Sequence, residues 1–132
     1  MLIDHTALGA HDPLALASWY ELWFGLRRER ILHSVARPPI VFLLDSSGQR
    51  IEILPRSDLP RRSRENRQFH LAFSTTDLNR ELHRLRDSGI VVLEDRDTSV
   101  GWRIAYFADP EGNPLELVQR PPREQEGKED PA

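Results

Sequence analysis

The chain contains the same order of residues twice, and this internal repeat restricts the fold to two similar modules. A histidine near the start of each copy, His5 and then His70, recurs after 65 positions. Each copy closes on an apolar strand that contains a glutamate, Glu52 and then Glu116, which are 64 positions apart. A repeat that keeps a histidine near its first strand and a glutamate inside its last strand predicts a site of two histidines and two glutamates on a pseudo-twofold axis.

Each copy has the pattern strand, helix, strand, strand, strand. In the first copy, Asp12 and Pro13 are typical of a helix start, and Gly25 is typical of a helix end. In the second copy, Asp77 begins the helix and Gly89 ends it. The predicted apolar face of the first helix has the spacing i, i+3, i+4, i+7 and consists of Leu16, Trp19, Tyr20 and Trp23. The predicted strands cover 2–8, 27–35, 40–44 and 49–54, and then 69–74, 90–93, 103–108 and 115–119.

The length of 132 residues fits one domain built from two such modules, 1–54 and 69–120. A module of roughly 60 residues would be marginally stable alone, so we expect the modules to pack on each other or on a second copy of the chain. An arginine-rich linker is predicted at 55–68, with Arg56, Arg61, Arg62, Arg64 and Arg67. The segment 121–132 has no apolar pattern and is predicted to be a disordered tail.

The composition excludes several classes of function. A net charge of −3 gives no reason to expect nucleic-acid binding. Because the chain has no cysteine, a bound metal must be held by histidine, aspartate or glutamate. The N-terminal residues do not have the pattern of a signal peptide, and no run approaches the roughly 20 apolar residues of a membrane span. We therefore expect no membrane partner and a cytoplasmic location.

Two segments carry a resemblance to a known family. The first is Ile3-Asp4-His5 with the later Ser18-Trp19-Tyr20 and Phe24-Gly25-Leu26, and the second is Ala105-Tyr106-Phe107-Ala108-Asp109-Pro110-Glu111-Gly112-Asn113-Pro114-Leu115-Glu116-Leu117. The chain resembles the vicinal oxygen chelate superfamily of glyoxalases, bleomycin resistance proteins and dioxygenases, up to about Arg120. The resemblance implies an α+β fold of paired βαβββ modules that form a curled mixed sheet around a metal cleft. It also implies a homodimer.

Glyoxalase I is the closest member type in its ligand pattern. That resemblance implies His5, Glu52, His70 and Glu116 as the ligands of one divalent metal ion per site, with nickel, cobalt, zinc, manganese and iron all acceptable. Since side chains alternate along a strand, both carboxylates are expected on the face opposite their apolar neighbours. Two imidazoles and two carboxylates balance a divalent charge and leave two octahedral positions for water or substrate oxygens.

The activity implied is that of a metal-dependent isomerase or lyase of the glyoxalase I or epimerase type. A proton moves next to a metal-bound carbonyl through an enediolate, with a glutamate as base, and Glu116 is favoured over Glu52. The contacts by which bacterial glyoxalase I holds glutathione are not evident at Leu8-Gly9-Ala10 or after Glu52. The small-molecule substrate is therefore open, and an anionic one is an alternative because arginine suits carboxylates and phosphates. The candidate substrate-binding residues are Arg56, Arg103 and Trp102.

Two other functions stay open at this point. An extradiol-type dioxygenase would use His5, His70 and Glu116 as a two-histidine, one-carboxylate triad, but Glu52 would then occupy a position that oxygen or substrate needs. A non-catalytic protein that binds and sequesters a small molecule such as a drug would need no intact set of metal ligands, so the histidine and glutamate retained in each copy count against this alternative. The remaining histidines, His11, His33 and His83, are predicted to lie on the surface.

Overall fold

The computed structural model describes residues 1–56 and 69–122. Most of the predicted arginine-rich linker, including Arg61, Arg62, Arg64 and Arg67, and the predicted tail from 123 onward lie outside the described residues. The chain divides into two compact units, Met1–Arg61 and Arg62–Ala132.

The first unit contains β1 (Thr6–Ala10), α1 (Pro13–Phe24), β2 (Arg27–Leu32), β3 (Ile40–Leu44) and β4 (Arg50–Pro55). Its sheet has the strand order β1-β4-β3-β2. The second unit contains β5 (Leu71–Ser74), α2 (Leu78–Asp87), β6 (Glu94–Asp97), β7 (Arg103–Ala108) and β8 (Pro114–Gln119), in the order β5-β8-β7-β6. In both sheets the first and last strands pair parallel and the other pairs are antiparallel. The α+β fold of paired βαβββ modules is thus confirmed.

The predicted helix starts are correct in both units. The Asp12 side chain accepts a hydrogen bond from the Ala15 amide, and the Asp77 side chain accepts one from the Arg80 amide. Each carboxylate thereby satisfies one of the amide groups that a helix leaves unpaired at its start. The first helix also ends as predicted, because Gly25 adopts a left-handed conformation with φ 65°.

The prediction of an apolar stripe on α1 is wrong in part. The buried face consists of Pro13, Leu16, Ala17 and Tyr20, whereas Trp19 and Trp23 are only partly buried. The spacing i, i+3, i+4, i+7 is the one predicted, but the face begins at Pro13 and not at Leu16. Small residues such as Ala17 let a helix approach a sheet closely, and α1 packs against β3 and β4.

Two strand predictions are also wrong in their positions. The segment 90–93 is not a strand, and β6 is instead the polar run Glu94–Asp97. The Ile90 amide donates a hydrogen bond to the Leu85 carbonyl at the end of α2. The apolar run therefore forms the connection from α2 to β6. The position of β6 is set by its pairing with β7. Charged residues suit β6 because it is an edge strand. At the N-terminus, β1 begins at Thr6 and not at Leu2.

The same five-residue turn precedes the last strand of each unit. In the second unit the Asp109 side chain accepts hydrogen bonds from the amides of Glu111 and Asn113 and from the Asn113 side chain. In the first unit the Asp45 side chain accepts from the amide and hydroxyl of Ser47 and from the Gln49 amide. The repeat seen in the sequence therefore extends to individual hydrogen bonds that set the position of β4 and β8.

The contribution of the first turn to the stability of the fold depends on pH through the ionisation of Asp45. Burial opposes ionisation of Asp45, but the hydrogen bonds from Ser47 and Gln49 outweigh it, so the pKa of this carboxyl lies below its usual value. A carboxyl whose native pKa is lowered stabilises the fold above its unfolded-state pKa of about 3.9. This stabilisation is lost as the pH falls through the lowered native value.

The two turns allow a matched test of stability. Asp109 and Asn113 are both buried, at 4% exposure each, so Asp109→Ala leaves buried donors without their acceptor. We expect this variant to lose about 3 kcal/mol in the free energy of unfolding. Asp45→Ala in the more exposed turn should lose only about 1 kcal/mol. Urea unfolding followed by circular dichroism measures both, and equal losses would contradict the assignment of the larger effect to burial.

Candidate functional site

In the first unit, the structure brings His5 and Glu52 together. His5 directly precedes β1, and Glu52 lies in β4, the strand that pairs with β1. The Nε2 atom of His5 is 3.6 Å from Oε1 of Glu52. The ring of Phe42, which is in register with Glu52 on β3, lies edge-to-face against His5 with 5.8 Å between the ring centroids. The carboxylate is 16% exposed and the imidazole 35% exposed, so the pair is partly shielded and still accessible.

The second unit builds the same arrangement with His70 and Glu116. The Nε2 atom of His70 is 3.0 Å from Oε2 of Glu116, and these side chains are 29% and 11% exposed. Tyr106 on β7 is in register with Glu116 and lies edge-to-face against His70 at 5.7 Å. The four predicted ligands therefore form two equivalent pairs, one in each unit.

The aromatic neighbours, Phe42 and Tyr106, are a part of the site that the sequence reasoning missed. The signal was present, because these two residues are 64 positions apart, as are Glu52 and Glu116. Ala7 and Ala72 are further equivalents, since each is in register with the glutamate of its unit on the first strand. A small residue there leaves room beside the carboxylate.

The alternation of side chains along the last strands explains why the carboxylates face away from the helices. Ile51 and Ile53 flank Glu52 and are buried at 7% and 0% exposure. Leu115 and Leu117 flank Glu116 and are likewise buried, and α2 packs against β7 and β8. The flanking residues occupy the helix-covered face, so the glutamates lie on the opposite face of each sheet. We call this opposite side the open face of the sheet.

The separations within the pairs fit donors to one metal ion. Metal–nitrogen and metal–oxygen bonds of about 2.1 Å put neighbouring donors about 3.0 Å apart in an octahedron and about 3.4 Å apart in a tetrahedron. The observed distances of 3.0 and 3.6 Å are close to those values. Among residues 1–56 and 69–122, no group of three or more potential ligands lies close enough together to hold a metal. Each unit by itself thus supplies two donors, which is fewer than a stable site needs.

The first unit adds an acidic residue beside its histidine. Oδ2 of Asp4 is 2.7 Å from Nδ1 of His5, and Oδ1 of Asp4 is 3.4 Å from Nη1 of Arg50. Arg50 also donates to both carboxylate oxygens of Glu29, at 2.8 and 2.9 Å. The hydrogen bond with His5 lowers the pKa of Asp4, and the positive charge of Arg50 lowers it further.

Comparison with known proteins gives the family. The model of the Glyoxalase/Bleomycin resistance protein/Dioxygenase superfamily matches residues 2–117. The chain belongs to this superfamily. The match spans both units and includes all four residues of the His–Glu pairs.

Solved structures of other superfamily proteins share the fold. A glyoxalase family protein from Enterococcus faecalis is 27% identical with a TM-score of 0.72, covering 89% of this chain and 96% of that one. A glyoxylase/bleomycin resistance protein/dioxygenase domain from Frankia sp. EAN1pec has 17% identity, a TM-score of 0.76 and coverages of 93% and 94%. The fosfomycin resistance protein FosX from Listeria monocytogenes has 20% identity, a TM-score of 0.73 and coverages of 95% and 97%. A search of curated protein sequences finds no match.

The predicted substrate-binding residue Arg103 lies away from the His–Glu pair of its unit. Its guanidinium donates to Asn79 on α2 and to Asp95 on β6, with 3.1 Å from Nη2 to Oδ1 of Asp95. Contact with α2 places Arg103 on the helix-covered face, whereas Tyr106, three positions along the strand, lies beside His70 on the open face. The geometry therefore counts against Arg103 as a neighbour of a substrate bound at Glu116.

Arg56 has a position more compatible with the prediction than Arg103. The Arg56 amide donates to the Ala10 carbonyl at 2.8 Å, which continues the pairing of β4 beyond Pro55. Arg56 is four positions after Glu52 and hence on the same face, and it is 8% exposed. Its side chain occupies the space above Gly9, where an added Cβ would lie 3.2 Å from Cδ of Arg56. The ring of Trp102 is covered by the Arg120 guanidinium at 3.8 Å.

The remaining histidines do not join either pair. His83 lies on α2 with Nε2 3.3 Å from Oδ2 of Asp87, and its side chain is 83% exposed. His11 and His33 are exposed, as predicted. Within the part of the chain that the structure describes, no helix is long and apolar enough to cross a membrane.

Proposed function

We propose that this superfamily member is a metal-dependent isomerase or lyase of the glyoxalase I or epimerase type, which transfers a proton next to a carbonyl group. The observation that supports this proposal is the His–Glu pair that recurs in both units, with its donors 3.6 and 3.0 Å apart. A single pair of this kind is common as a structural ion pair. A pair repeated at equivalent positions, each beside an aromatic ring on the open face, is better explained by a shared function.

We further propose that His5, Glu52, His70 and Glu116 act together as ligands of one divalent cation. Nickel, cobalt, zinc, manganese and iron all accept a mixed set of imidazole and carboxylate donors. Since each unit supplies two donors, the set is completed either within one chain or by a second copy. The proposal includes a homodimer, which is the arrangement that the family resemblance implied.

The chain's own residues can carry out the proton transfer. A bound divalent cation would act as a Lewis acid that polarises the substrate carbonyl. Glu116 is the proposed base, because its carboxylate is the more buried of the two, with 11% of the side chain exposed, against 16% for Glu52. An Oε atom of Glu116 takes the proton from the carbon next to the carbonyl and returns it at the other position or on the other face. Tyr106 and His70 limit the access of water to this carboxylate.

The substrate is proposed to be a small carbonyl compound with an acidic C–H bond. Arg56 is the proposed contact for an anionic group on it, because Arg56 shares the face of Glu52 at the end of β4. Trp102 is a candidate for an apolar contact.

The test combines metal binding with exchange of a substrate proton. Protein prepared without an affinity tag is titrated with Ni²⁺, Co²⁺, Zn²⁺ and Mn²⁺ by calorimetry, and its oligomeric state is measured by sedimentation. The metal-loaded protein is then incubated in D₂O with hemithioacetals of 2-oxoaldehydes and with 2-substituted acyl thioesters. Deuterium incorporation is followed by NMR. We expect one metal per chain and incorporation next to the carbonyl. Oxygen consumption with Fe²⁺ would favour the dioxygenase, and absence of metal binding would leave a binding protein.

A further inference from the structure

The residues that precede the two histidines differ although the pairs are equivalent. Asp4 precedes His5 in the chain and Phe69 precedes His70, so a carboxylate stands at this position in one copy only. Oδ2 of Asp4 is 2.7 Å from Nδ1 of His5, a normal hydrogen-bond length. A carboxylate only accepts hydrogen bonds, so the proton of a neutral His5 imidazole lies on Nδ1.

The distances to the glutamates agree with this difference. The Nε2 atom of His5 is 3.6 Å from Glu52, which is too long for a hydrogen bond and suits a nitrogen without a proton. The Nε2 atom of His70 is 3.0 Å from Glu116, which suits a nitrogen that donates its proton to the carboxylate. These distances thus correspond to opposite tautomers of the two neutral imidazoles.

Asp4 is itself held by a second contact. Arg50 reaches Oδ1 of Asp4 at 3.4 Å while it forms two hydrogen bonds with Glu29. These bonds hold the Arg50 guanidinium, at the start of β4, against Glu29 of the edge strand β2. The chain of contacts Glu29, Arg50, Asp4, His5 therefore links the imidazole to the body of the first unit.

We propose that Asp4 is a positioning residue that fixes the tautomer and orientation of His5, so that Nε2 is available as a metal donor without a prior proton transfer. This inference rests on the proposed metal site for its role in binding, but the tautomer itself is a property of the metal-free protein. Partners of this kind behind a histidine ligand strengthen metal binding by about 10–100-fold. Since 73% of the Asp4 side chain is exposed, the lower end, about 10-fold, is expected here.

The test measures tautomer and affinity separately. Two-bond ¹H–¹⁵N spectra of the metal-free protein at about pH 8, where imidazoles are neutral, report which nitrogen of His5 carries the proton. We expect Nδ1–H at His5 and Nε2–H at His70. Asp4→Ala should give a mixture of tautomers at His5 and weaken metal binding about 10-fold. Asp4→Asn, which keeps an acceptor oxygen, should restore most of the tautomer preference.

Asp87→Ala is the matched control, because it removes the exposed aspartate beside His83 on α2 and should change neither quantity. An Nε2–H tautomer at His5 in the unsubstituted protein, or a tautomer unaffected by Asp4→Ala, would overturn the positioning role whatever the affinity does. An unchanged affinity in Asp4→Ala would do the same. If the protein binds no metal while the His5 tautomer still depends on Asp4, the proposed function fails and the positioning of the imidazole stands.

Discussion

Substitution of either His5 or His70 by alanine is expected to abolish metal binding at concentrations that saturate the unsubstituted protein. The proposed site of four ligands would lose a direct ligand in either variant, and loss of a direct ligand should exceed the 10–100-fold effect of an outer partner. The metal content after dialysis against trace metal, measured by mass spectrometry, should fall from one per chain to near zero in both cases. His83→Ala, which changes an exposed histidine on α2, should keep its full content.

The alternative to a shared site gives a different result. If the two His–Glu pairs acted as independent weak sites, each variant would lose only the metal bound by its own unit, and the losses would add in the double variant. That outcome would contradict the four-ligand proposal. Thermal unfolding of each metal-free variant checks that the fold is retained, which we expect because both imidazoles are partly exposed.

Glu116→Gln is expected to lower the rate of proton exchange next to the substrate carbonyl by about 10²–10⁴-fold, the usual contribution of a general base. An amide cannot take the proton, although its oxygen can still donate to a metal. We therefore expect a much larger loss in the exchange rate than in metal affinity. Deuterium incorporation measured by NMR, with metal affinity measured by calorimetry on the same preparation, separates these two effects.

Glu94→Gln is the appropriate control for this prediction. Glu94 is in register with Tyr106 on the neighbouring strand and forms an ion pair with Arg96. Its substitution changes a carboxylate of the same sheet, two strands from Glu116, and replaces neither member of the His–Glu pair, so the exchange rate should remain within a few-fold. Should Glu52→Gln abolish exchange while Glu116→Gln retains it, the base is in the first unit and the assignment to Glu116 is wrong.

Local rules and the repeat predicted the order of helices and strands and the matched positions of the candidate ligands, whereas the sheet architecture was implied by the resemblance to the superfamily. Asp12 and Asp77 mark the helix starts by their capping chemistry, and the alternation around Glu52 and Glu116 follows from the strand period. The offsets of 64 and 65 positions then relate the two units. None of these inferences needs knowledge of contacts between distant residues.

The features that escaped prediction depend on such contacts. The position of β6 is decided by its pairing with β7, and an apolar run at 90–93 carries no information on that pairing. Arg103 was a candidate for substrate binding by its charge, and only the contacts with Asn79 and Asp95 show where it points. Asp4 belongs to the motif Ile3-Asp4-His5, but its proposed role depends on the orientation of the His5 ring, which spacing alone does not give.

The parallel pairing of first and last strands has a consequence for the coupling between ligand binding and folding. His5 and Glu52 are 47 positions apart, and His70 and Glu116 are 46 apart, so each pair joins the two ends of its unit. If the proposed cation bound both members of a pair, it would close a long loop and offset part of the entropy of closing it. The binding energy of the proposed cation would therefore add to the folding free energy. Removal of the bound metal by a chelator should accordingly promote separation of β1 from β4 and of β5 from β8 before the helices unfold.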